Sequence, residues 1–236
     1  GIGTIDSAGS FNNDSGFSIV SYTNTNQSAN SGVATIKHGL NTTPNVLILK
    51  DRDATSDWQV FHSSLPTNKY LDLNTTDAAA VDTNVWNNTA PTSSVFTVGD
   101  NSYSNPANRA MIAYCFAEKK GYSKFGSYTG NGNADGTFVY TGFLPSFVMV
   151  KDSSNAGYNW MMYDNKRLGY NGGSRYLIAN QNYAESGSSD NLMDFTSNGF
   201  KLRIADQNIN RTHTYIFMAF AENPFVTSTG VPATAR

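Results

Sequence analysis

The sequence is poor in cysteine, in charge and in long hydrophobic runs. Cys115 is the one cysteine among 236 residues, so no disulfide within the chain can support the fold. Asp, Glu, Lys and Arg make up 14% of the residues and leave a net charge of −2, without the basic cluster typical of nucleic-acid-binding proteins. No run reaches the ~18 apolar residues of a membrane-spanning helix. We therefore expect no nucleic-acid partner and no membrane insertion.

Helical periodicity is missing as well. No window of a dozen residues repeats its apolar side chains every 3.6 positions between helix caps. Short runs rich in Val, Ile, Phe and Tyr recur instead, separated by Gly, Asn, Ser and Pro, which indicates strands and turns. Residues 17–22 alternate like a half-buried strand, and residues 46–49 are continuously apolar. Residues 77–81 are the one helix-like patch, where we expect at most a single turn.

Several landmarks of the sequence occur twice at nearly constant spacing. Phe116 and Phe220 close similar apolar runs, and 220 − 116 = 104. A duplicated domain of about 100 residues has a common domain size. We therefore predict an all-β chain of two tandem antiparallel β-sandwich repeats, of the jelly-roll or concanavalin-like type. Other matched pairs are Ser21 with Ser127, Pro44 with Pro145, Asp51 with Asp152, Trp58 with Trp160, and Tyr70 with Tyr176.

The predicted organisation has four segments. Residues 1–14, rich in Gly, Ser and Asn, are interpreted as a leader from an upstream region, since the chain starts at Gly1 without Met. Repeat 1 is expected over residues 15–120 and repeat 2 over residues 121–225. Residues 226–236 form a polar tail.

The closing strand of repeat 1 alternates large and small side chains. Successive strand residues point to opposite faces, so we expect the large residues to fill the core. The small residues would then form an outer face that another subunit approaches, which predicts association of the chain with itself. The large set is Ile112, Tyr114 and Phe116, and the small assembly face is Ala113, Cys115 and Ala117.

Candidate catalytic residues do not form a recognisable constellation. The histidines are His38, His62 and His213, and no Gly-x-Ser-x-Gly elbow accompanies them. We expect all three at turns or on the surface. The carboxylates are mostly predicted in loops, so a glycosidase pair stays only as the least favoured alternative. The sequence predicts no enzyme and no cofactor.

A candidate metal loop and a candidate sugar site are weighed against simpler interpretations. Asn131, Asn133 and Asp135 resemble the first ligands of a calcium loop, but Gly142 stands where its acidic twelfth residue belongs. A connector is favoured, because Asn and Gly accept positive φ. Aromatic rings among amides can stack on sugars, although the two matched tryptophans also suit a core. The candidate sugar-binding residues are Trp58, Trp86, Trp160, Tyr158 and Tyr163.

Taken together, several stretches resemble one family of phage proteins. The family is the tandem-repeat C-terminal region of large virion proteins of tailed, mostly marine, bacteriophages. The most specific likeness is in residues 121–132. The other stretches are residues 16–23, 38–40, 74–78, 86–96, 113–118 and 197–202.

The resemblance implies a non-enzymatic, tail-fibre-like protein on the extracellular virion surface, with no catalytic residues to carry over. It implies a homo-oligomer, with a trimer favoured, and contacts with other virion proteins. We expect attachment to a host cell-surface glycan. The alternative is a purely structural part, such as a capsid decoration or fibre-assembly protein.

Overall fold

The computed structural model describes residues 2–25, 32–167, 174–188 and 192–223, and all secondary structure in these ranges is strand, bridge or turn. Every pair of strands within the sheets is antiparallel. The prediction of an all-β antiparallel fold is confirmed. The helix-like patch at residues 77–81 contains no helical turn, and Ala80–Val81 forms a short strand.

Eighteen strands lie in the described residues. They are β1 (Ser7–Asn12), β2 (Phe17–Thr23), β3 (Ala34–Lys37), β4 (Val46–Asp51), β5 (Gln59–His62), β6 (Lys69–Asp72), β7 (Ala80–Val81), β8 (Val95–Val98), β9 (Ala110–Phe116), β10 (Ser123–Thr129), β11 (Phe138–Tyr140), β12 (Pro145–Asp152), β13 (Met161–Asp164), β14 (Ser174–Ile178), β15 (Ser186–Ser188), β16 (Met193–Thr196), β17 (Gly199–Leu202) and β18 (Thr214–Ala221).

The chain divides into two compact units. Unit 1 consists of Gly1–Leu73 and Ala79–Glu118, and unit 2 of Asn74–Ala78 and Lys119–Arg236. In unit 1 the larger sheet has the order β1-β2-β9-β4-β5-β6-β7, and β3 pairs with β8. In unit 2 the larger sheet has the order β10-β18-β12-β13-β14-β15, and the smaller sheet the order β11-β17-β16. Apart from β1 and β16, the two units therefore have equivalent strands in the same order.

The register of the central strands follows the same equivalence. Phe116 of β9 lies between Phe17 of β2 and Val46 of β4. Phe220 of β18 occupies the matching place, between β10 and β12. Residues 104 positions apart, the spacing of Phe116 and Phe220, therefore have the same neighbours in their sheets. Residues at equivalent positions of the two units can therefore be compared directly.

The core of unit 1 lies on the small-residue face of β9. Ala113, Cys115 and Ala117 are buried in the core cluster, whereas Ile112, Tyr114 and Phe116 lie on the opposite face and are half-buried. The predicted assignment of the two faces is wrong, and the small residues are not an outward assembly face. The physical reason is that bulky side chains arrive from elsewhere in the unit. The fully buried Trp86 and Phe96 fill the space that the small residues leave.

The residues predicted as a leader belong to the fold of unit 1. Ser7–Asn12 pairs with β2 over six register positions, and the side chain of Ile5 packs against the core cluster. The N–H groups of Thr4 and Ile5 donate to the carbonyl oxygen of Thr35 in β3, at 2.9 and 3.2 Å. This N-terminal segment, residues 4–12, therefore covers the edges of both sheets on one side of the unit. The predicted polar tail, residues 226–236, lies outside the described residues.

The core of unit 2 distributes its volume differently between neighbouring strands. In unit 1, Val20 of β2 lies opposite Ala113 of β9. In unit 2, Gly126 of β10 lies opposite Phe217 of β18, and this phenylalanine is buried in the core. The larger side chain of the pair lies on β2 in unit 1 and on β18 in unit 2. Each pair therefore still contributes a large side chain to the core.

Candidate functional site

Both units close β4 or β12 with a Lys–Asp pair that holds the next turn. Oδ1 of Asp51 accepts hydrogen bonds from the N–H groups two and three residues later, at 2.9 and 3.2 Å. Oδ1 of Asp152 does the same at 2.9 and 3.0 Å. Lys50 and Lys151 donate from Nζ to backbone carbonyl oxygens of these turns. The repeated Lys–Asp pair therefore has a structural role.

The side chain that pairs with the buried aspartate differs between the units. Nη1 of Arg109 lies 2.9 Å from Oδ2 of Asp51, and Nδ1 of His213 lies 2.6 Å from Oδ2 of Asp152. Both carboxylates have no exposed surface, so each needs such a partner. Each of these two partner residues comes directly before the central strand, and 213 − 109 = 104. At one place in the repeat, unit 2 thus has an imidazole where unit 1 has a guanidinium.

A buried tyrosine holds the long loop that precedes each central strand. The hydroxyl of Tyr22 donates to the carbonyl oxygen of Ser104 at 2.7 Å, and that of Tyr128 to Ile209 at 2.6 Å. Burial raises the pKa of both hydroxyls well above the usual value, so both remain protonated donors.

The next residue of each loop is a fully buried asparagine. In unit 2, Nδ2 of Asn210 donates to the carbonyl oxygens of Asn133 and Ile204, both at 2.8 Å. Its Oδ1 accepts the N–H of Asn131 at 3.1 Å. This amide joins two loops without any strand pairing between them.

Further asparagines join the other connections at this end of unit 2. Oδ1 of Asn208 accepts the N–H of Asn159 at 3.1 Å, and Oδ1 of Asn180 accepts the N–H of Trp160 at 2.8 Å. Nδ2 of Asn180 donates to Oδ1 of Asn159 at 2.9 Å. Loops fixed in this way on a rigid scaffold suit recognition. We call the connected loops the loop end of unit 2; it comprises residues 130–137, 153–160, 179–181 and 203–213.

Two accessible side chains lie side by side at the loop end. The ring of Tyr158 is half-buried, and its centroid lies 5.6 Å from that of the His213 imidazole. The His213 side chain is 24% exposed. Asp152 holds Nδ1, which fixes the orientation of the ring. Within the described part of the chain, Nε2 has no protein hydrogen-bond partner, so it is available to a ligand next to an aromatic face.

The matching end of unit 1 has different chemistry. Its connection at residues 52–57 has no aromatic residue to correspond to Tyr158. Register places other side chains at equivalent positions in the two sheets. In each of these pairs unit 2 has a ring that carries a hydrogen-bonding group: Arg109 and His213, Met111 and Tyr215, Phe61 and Tyr163.

The five aromatic residues predicted to bind sugar do not form one site. Trp86, Trp160 and Tyr163 are buried, so the prediction is wrong for these three. Trp86 packs edge-on against another core ring, 5.7 Å away, because large flat side chains are the main filling of a thin sandwich core. Trp58 is half-buried and stacks on Tyr114 of the same sheet. Tyr158 is the one of the five that lies at the loop end with an accessible ring. The sequence reasoning missed His213, which the 104-residue offset from Arg109 would have revealed.

The candidate calcium loop is a turn held by its own side chains. Oδ1 of Asn131 accepts the N–H of Asn133 at 3.0 Å, and Nδ2 of Asn131 donates to the carbonyl oxygen of Asp135 at 2.9 Å. Oδ1 of Asp135 lies 2.7 Å from Nζ of Lys201, and this hydrogen bond lowers the pKa of the carboxyl group. Among the residues that the structure describes, no group of three or more His, Cys, Asp or Glu side chains could hold a metal ion.

Two of the three histidines are buried: His38 lies in the connection directly after β3, and His62 is the last residue of β5, so the expected turn or surface position is wrong for His62. Nδ1 of His38 accepts the N–H of Leu40 at 3.2 Å, and its Nε2 lies 3.2 Å from the carbonyl oxygen of Thr92. Burial lowers the pKa of His38, consistent with a neutral ring that donates from Nε2. His62 is also buried, and its Nδ1 accepts the N–H of Ser64 at 3.1 Å. Both rings support turns inside the fold.

Comparisons with known proteins give a family but no characterised relative. In the described ranges, no helix is long and apolar enough to cross a membrane. No curated protein and no solved structure matches the chain. The profile of a protein family described as "Domain of unknown function (DUF7483)" matches residues 1–224. The match covers nearly the whole sequence, and the chain therefore belongs to the DUF7483 family.

Proposed function

We propose that this protein is a non-enzymatic surface protein of a tailed-phage virion, a tail-fibre or appendage module that attaches to a host-surface glycan. The resemblance of residues 121–132 and the other matched stretches to phage virion proteins supports the setting. The loop end of unit 2 is the proposed binding site. Self-association, with a trimer favoured, remains part of the proposal, but the small residues of β9 are not its contact surface.

The observation that carries the proposal is the pairing of Tyr158 with His213. An aromatic face can stack on the apolar side of a sugar ring, and an oriented imidazole can hydrogen-bond a hydroxyl group. Both groups stand on loops that buried asparagine and tyrosine side chains hold in place. A site fixed before binding loses little conformational entropy when the ligand arrives.

The arrangement around His213 also favours binding over hydrolysis in this proposal. The neighbouring hydroxyl, Oγ of Ser154, donates to Oδ1 of Asp152 at 3.0 Å and accepts the N–H of Thr214 at 3.1 Å. A nucleophile would instead have to donate to the imidazole. A polysaccharide-degrading enzyme remains the least favoured alternative.

A structural role in capsid decoration or fibre assembly is the second candidate. The observation that favours it is the exposure of Phe138 and Tyr140, which are 44% and 64% accessible on the edge strand β11 of unit 2. Exposed aromatic side chains next to each other on a strand edge are typical of surfaces that contact another protein.

The test is binding of the purified chain to a panel of bacterial surface polysaccharides, followed by calorimetry on those that bind. Tyr158→Ala should weaken binding at least about tenfold, which corresponds to ~1.4 kcal/mol. His213→Arg, which introduces the residue of unit 1, should weaken it while the pair with Asp152 is kept. Tyr103→Ala removes an exposed aromatic residue from the loop of unit 1 and is the matched control. No binding by the wild type, or unchanged binding by Tyr158→Ala, would refute the proposed site.

A further inference from the structure

Unit 1 shows how one side of this sandwich is covered by an extended segment. Thr4 and Thr35 exchange hydrogen bonds between backbone N–H and side-chain Oγ1, at 3.0 and 2.8 Å. Oγ of Ser7 donates to the carbonyl oxygen of Lys37 at 3.0 Å. Farther along, Oγ of Ser21 in β2 donates to the carbonyl oxygen of Ala8 at 3.2 Å. The segment thus satisfies polar groups of β3 and β2 in turn.

In unit 2 the strands of the equivalent side have no further strand neighbour within the described residues. The strands that correspond to β2 and β3 are β10 and β11, and each stands at the end of its sheet with one strand neighbour. The residues of unit 2 directly before β10 form only a short turn, in which Lys119 bridges to Ser123 at the start of the strand; the rest of β10 has no strand on this side in the described residues. We call the outer edges of β10 and β11 together the open side of unit 2.

The backbone of β10 offers hydrogen-bonding groups toward the open side. The N–H of Ala221 donates to the carbonyl oxygen of Tyr122, and the N–H of Gly130 to that of His213. Antiparallel pairs alternate between bonded and non-bonded positions, so even-numbered residues of β10 bond to β18. Ser127, an exposed odd-numbered residue, therefore directs its N–H and C=O away from β18. An edge of this kind is a template for another strand.

The side chains of β11 differ from those of β3 where the segment would lie. Ile36 lies opposite Phe96, and Val139 lies opposite the equivalent Phe200. The flanking residues of β11, Phe138 and Tyr140, therefore correspond to Thr35 and Lys37, which are the residues in contact with the N-terminal segment of unit 1. Unit 2 thus exposes two large aromatic side chains on the strand whose counterpart in unit 1 bonds to the N-terminal segment.

We propose that the open side of unit 2 binds an extended polypeptide segment of another chain, which pairs antiparallel with β10 as residues 7–12 pair with β2. The template in unit 1 defines the chemistry of this partner. Its strand part should have uncharged and mostly small side chains, as in β1, and an aliphatic side chain should precede the strand, as Ile5 precedes β1. This inference does not depend on the proposed glycan site.

Lys124 makes the pairing selective. It occupies the position of Ser18 in unit 1, on the face of β10 that it shares with Ala219. A lysine in an edge strand discourages indiscriminate strand addition. Lys124→Ser, which introduces the residue of unit 1, should therefore strengthen binding of the segment.

Disulfide trapping with a synthetic peptide tests the proposal on the full chain. The peptide has the sequence of residues 2–14 with Ala8→Cys, and the protein carries Ser127→Cys. Ala8 lies opposite Ser21 in unit 1, and Ser127 is the equivalent of Ser21, so the two cysteines should meet. Cys115 is buried and its thiol has a pKa of about 12 because of that burial, which keeps it from competing. We expect linkage at least tenfold faster than with a scrambled peptide.

Two matched controls decide where and in which register the peptide binds. Protein with Ser21→Cys should link at least tenfold more slowly, because Ala8 of the chain itself covers that position. A peptide with cysteine at Ser10 in place of Ala8 should also link slowly to Ser127→Cys, because Ser10 lies opposite Ile19 in the template. Lys124→Ser should increase the trapping rate. Failure to link, or equal rates with the scrambled, shifted and Ser21→Cys controls, would overturn the proposal.

Discussion

The pairing of Gly126 in β10 with the large Phe217 in β18 leads to a specific stability prediction. The change is Gly126→Val, which introduces the residue that unit 1 has at this position. A Cβ atom at Gly126 would lie 2.9 Å from Cε1 and 3.0 Å from Cζ of Phe217. Ordinary van der Waals contact begins at about 3.4 Å, and valine adds two further methyl groups. Phe217 cannot move out, since its ring lies 5.5 Å from that of Phe200 and 6.4 Å from that of Tyr128.

The expected loss follows from overpacking. Extra methyl groups in a filled core cost about 1–3 kcal/mol, and the higher strand propensity of valine returns at most ~1 kcal/mol. Gly126→Val should therefore lower the free energy of unfolding of unit 2 by about 1–2 kcal/mol. For a unit of about 100 residues, each kcal/mol corresponds to a decrease in Tm of about 4–8 °C.

The double variant separates overpacking from other effects. Phe217→Ala alone should cost about 3–5 kcal/mol, because it leaves a cavity. Adding Gly126→Val fills part of that cavity and recreates the Val20–Ala113 pair of unit 1. The double variant should then be more stable than the sum of the single effects by about 1–3 kcal/mol. Urea unfolding followed by fluorescence and circular dichroism, fitted with a transition for each unit, measures this. Additivity within about 0.5 kcal/mol would refute the reasoning.

Two further predictions concern titratable groups. Burial raises the pKa of the Cys115 thiol to about 12, so a thiol reagent at pH 8 should modify the folded protein more than about a hundredfold more slowly than the urea-unfolded chain; similar rates would contradict the burial. Burial lowers the pKa of Lys151 to about 8, so between about pH 8 and 10 the unfolded chain binds more protons than the folded chain, and the free energy of unfolding should rise with pH. Lys151→Met should lack this contribution in urea titrations from pH 7.5 to 10, and a difference between wild type and variant that does not change with pH would count against it.

Strands that have a neighbouring strand on each side and one buried face, such as β2, could be predicted from the sequence. The exposed edge strand β1 could not. The predicted run at residues 17–22 is nearly the observed strand Phe17–Thr23, because burial on one face forces its side chains to alternate. Ser7–Asn12 is an exposed edge strand of mostly small polar residues, and its one large side chain, Phe11, is exposed. Backbone hydrogen bonds rather than side-chain burial hold it, so no hydrophobic period marks it.

Which face of a strand meets the core, and whether an aromatic side chain is buried, depend on residues that are distant in the sequence. The alternation of β9 showed two faces correctly, but the core face follows from where Trp86 and Phe96 lie, and local size does not reveal that. The same limit applies to the candidate site, since Trp160 and Tyr158 are two residues apart yet one is buried and the other is accessible. His213 could be recognised only by comparison with Arg109 in the other half of the chain.

The five residues Asn74–Ala78, which belong to unit 2, have a consequence for synthesis on the ribosome. The carbonyl oxygen of Thr76 accepts the N–H of Gly157 at 2.8 Å and Nζ of Lys151 at 3.4 Å. These donors are synthesised about 75–80 residues after Thr76. Residues 74–78 therefore cannot form these hydrogen bonds until the second half of the chain has left the ribosome. A recombinant fragment that begins at Lys119 would lack the carbonyl of Thr76, one of two backbone acceptors of the buried Lys151 ammonium group, and we expect such a fragment to be less stable unless the stretch is supplied.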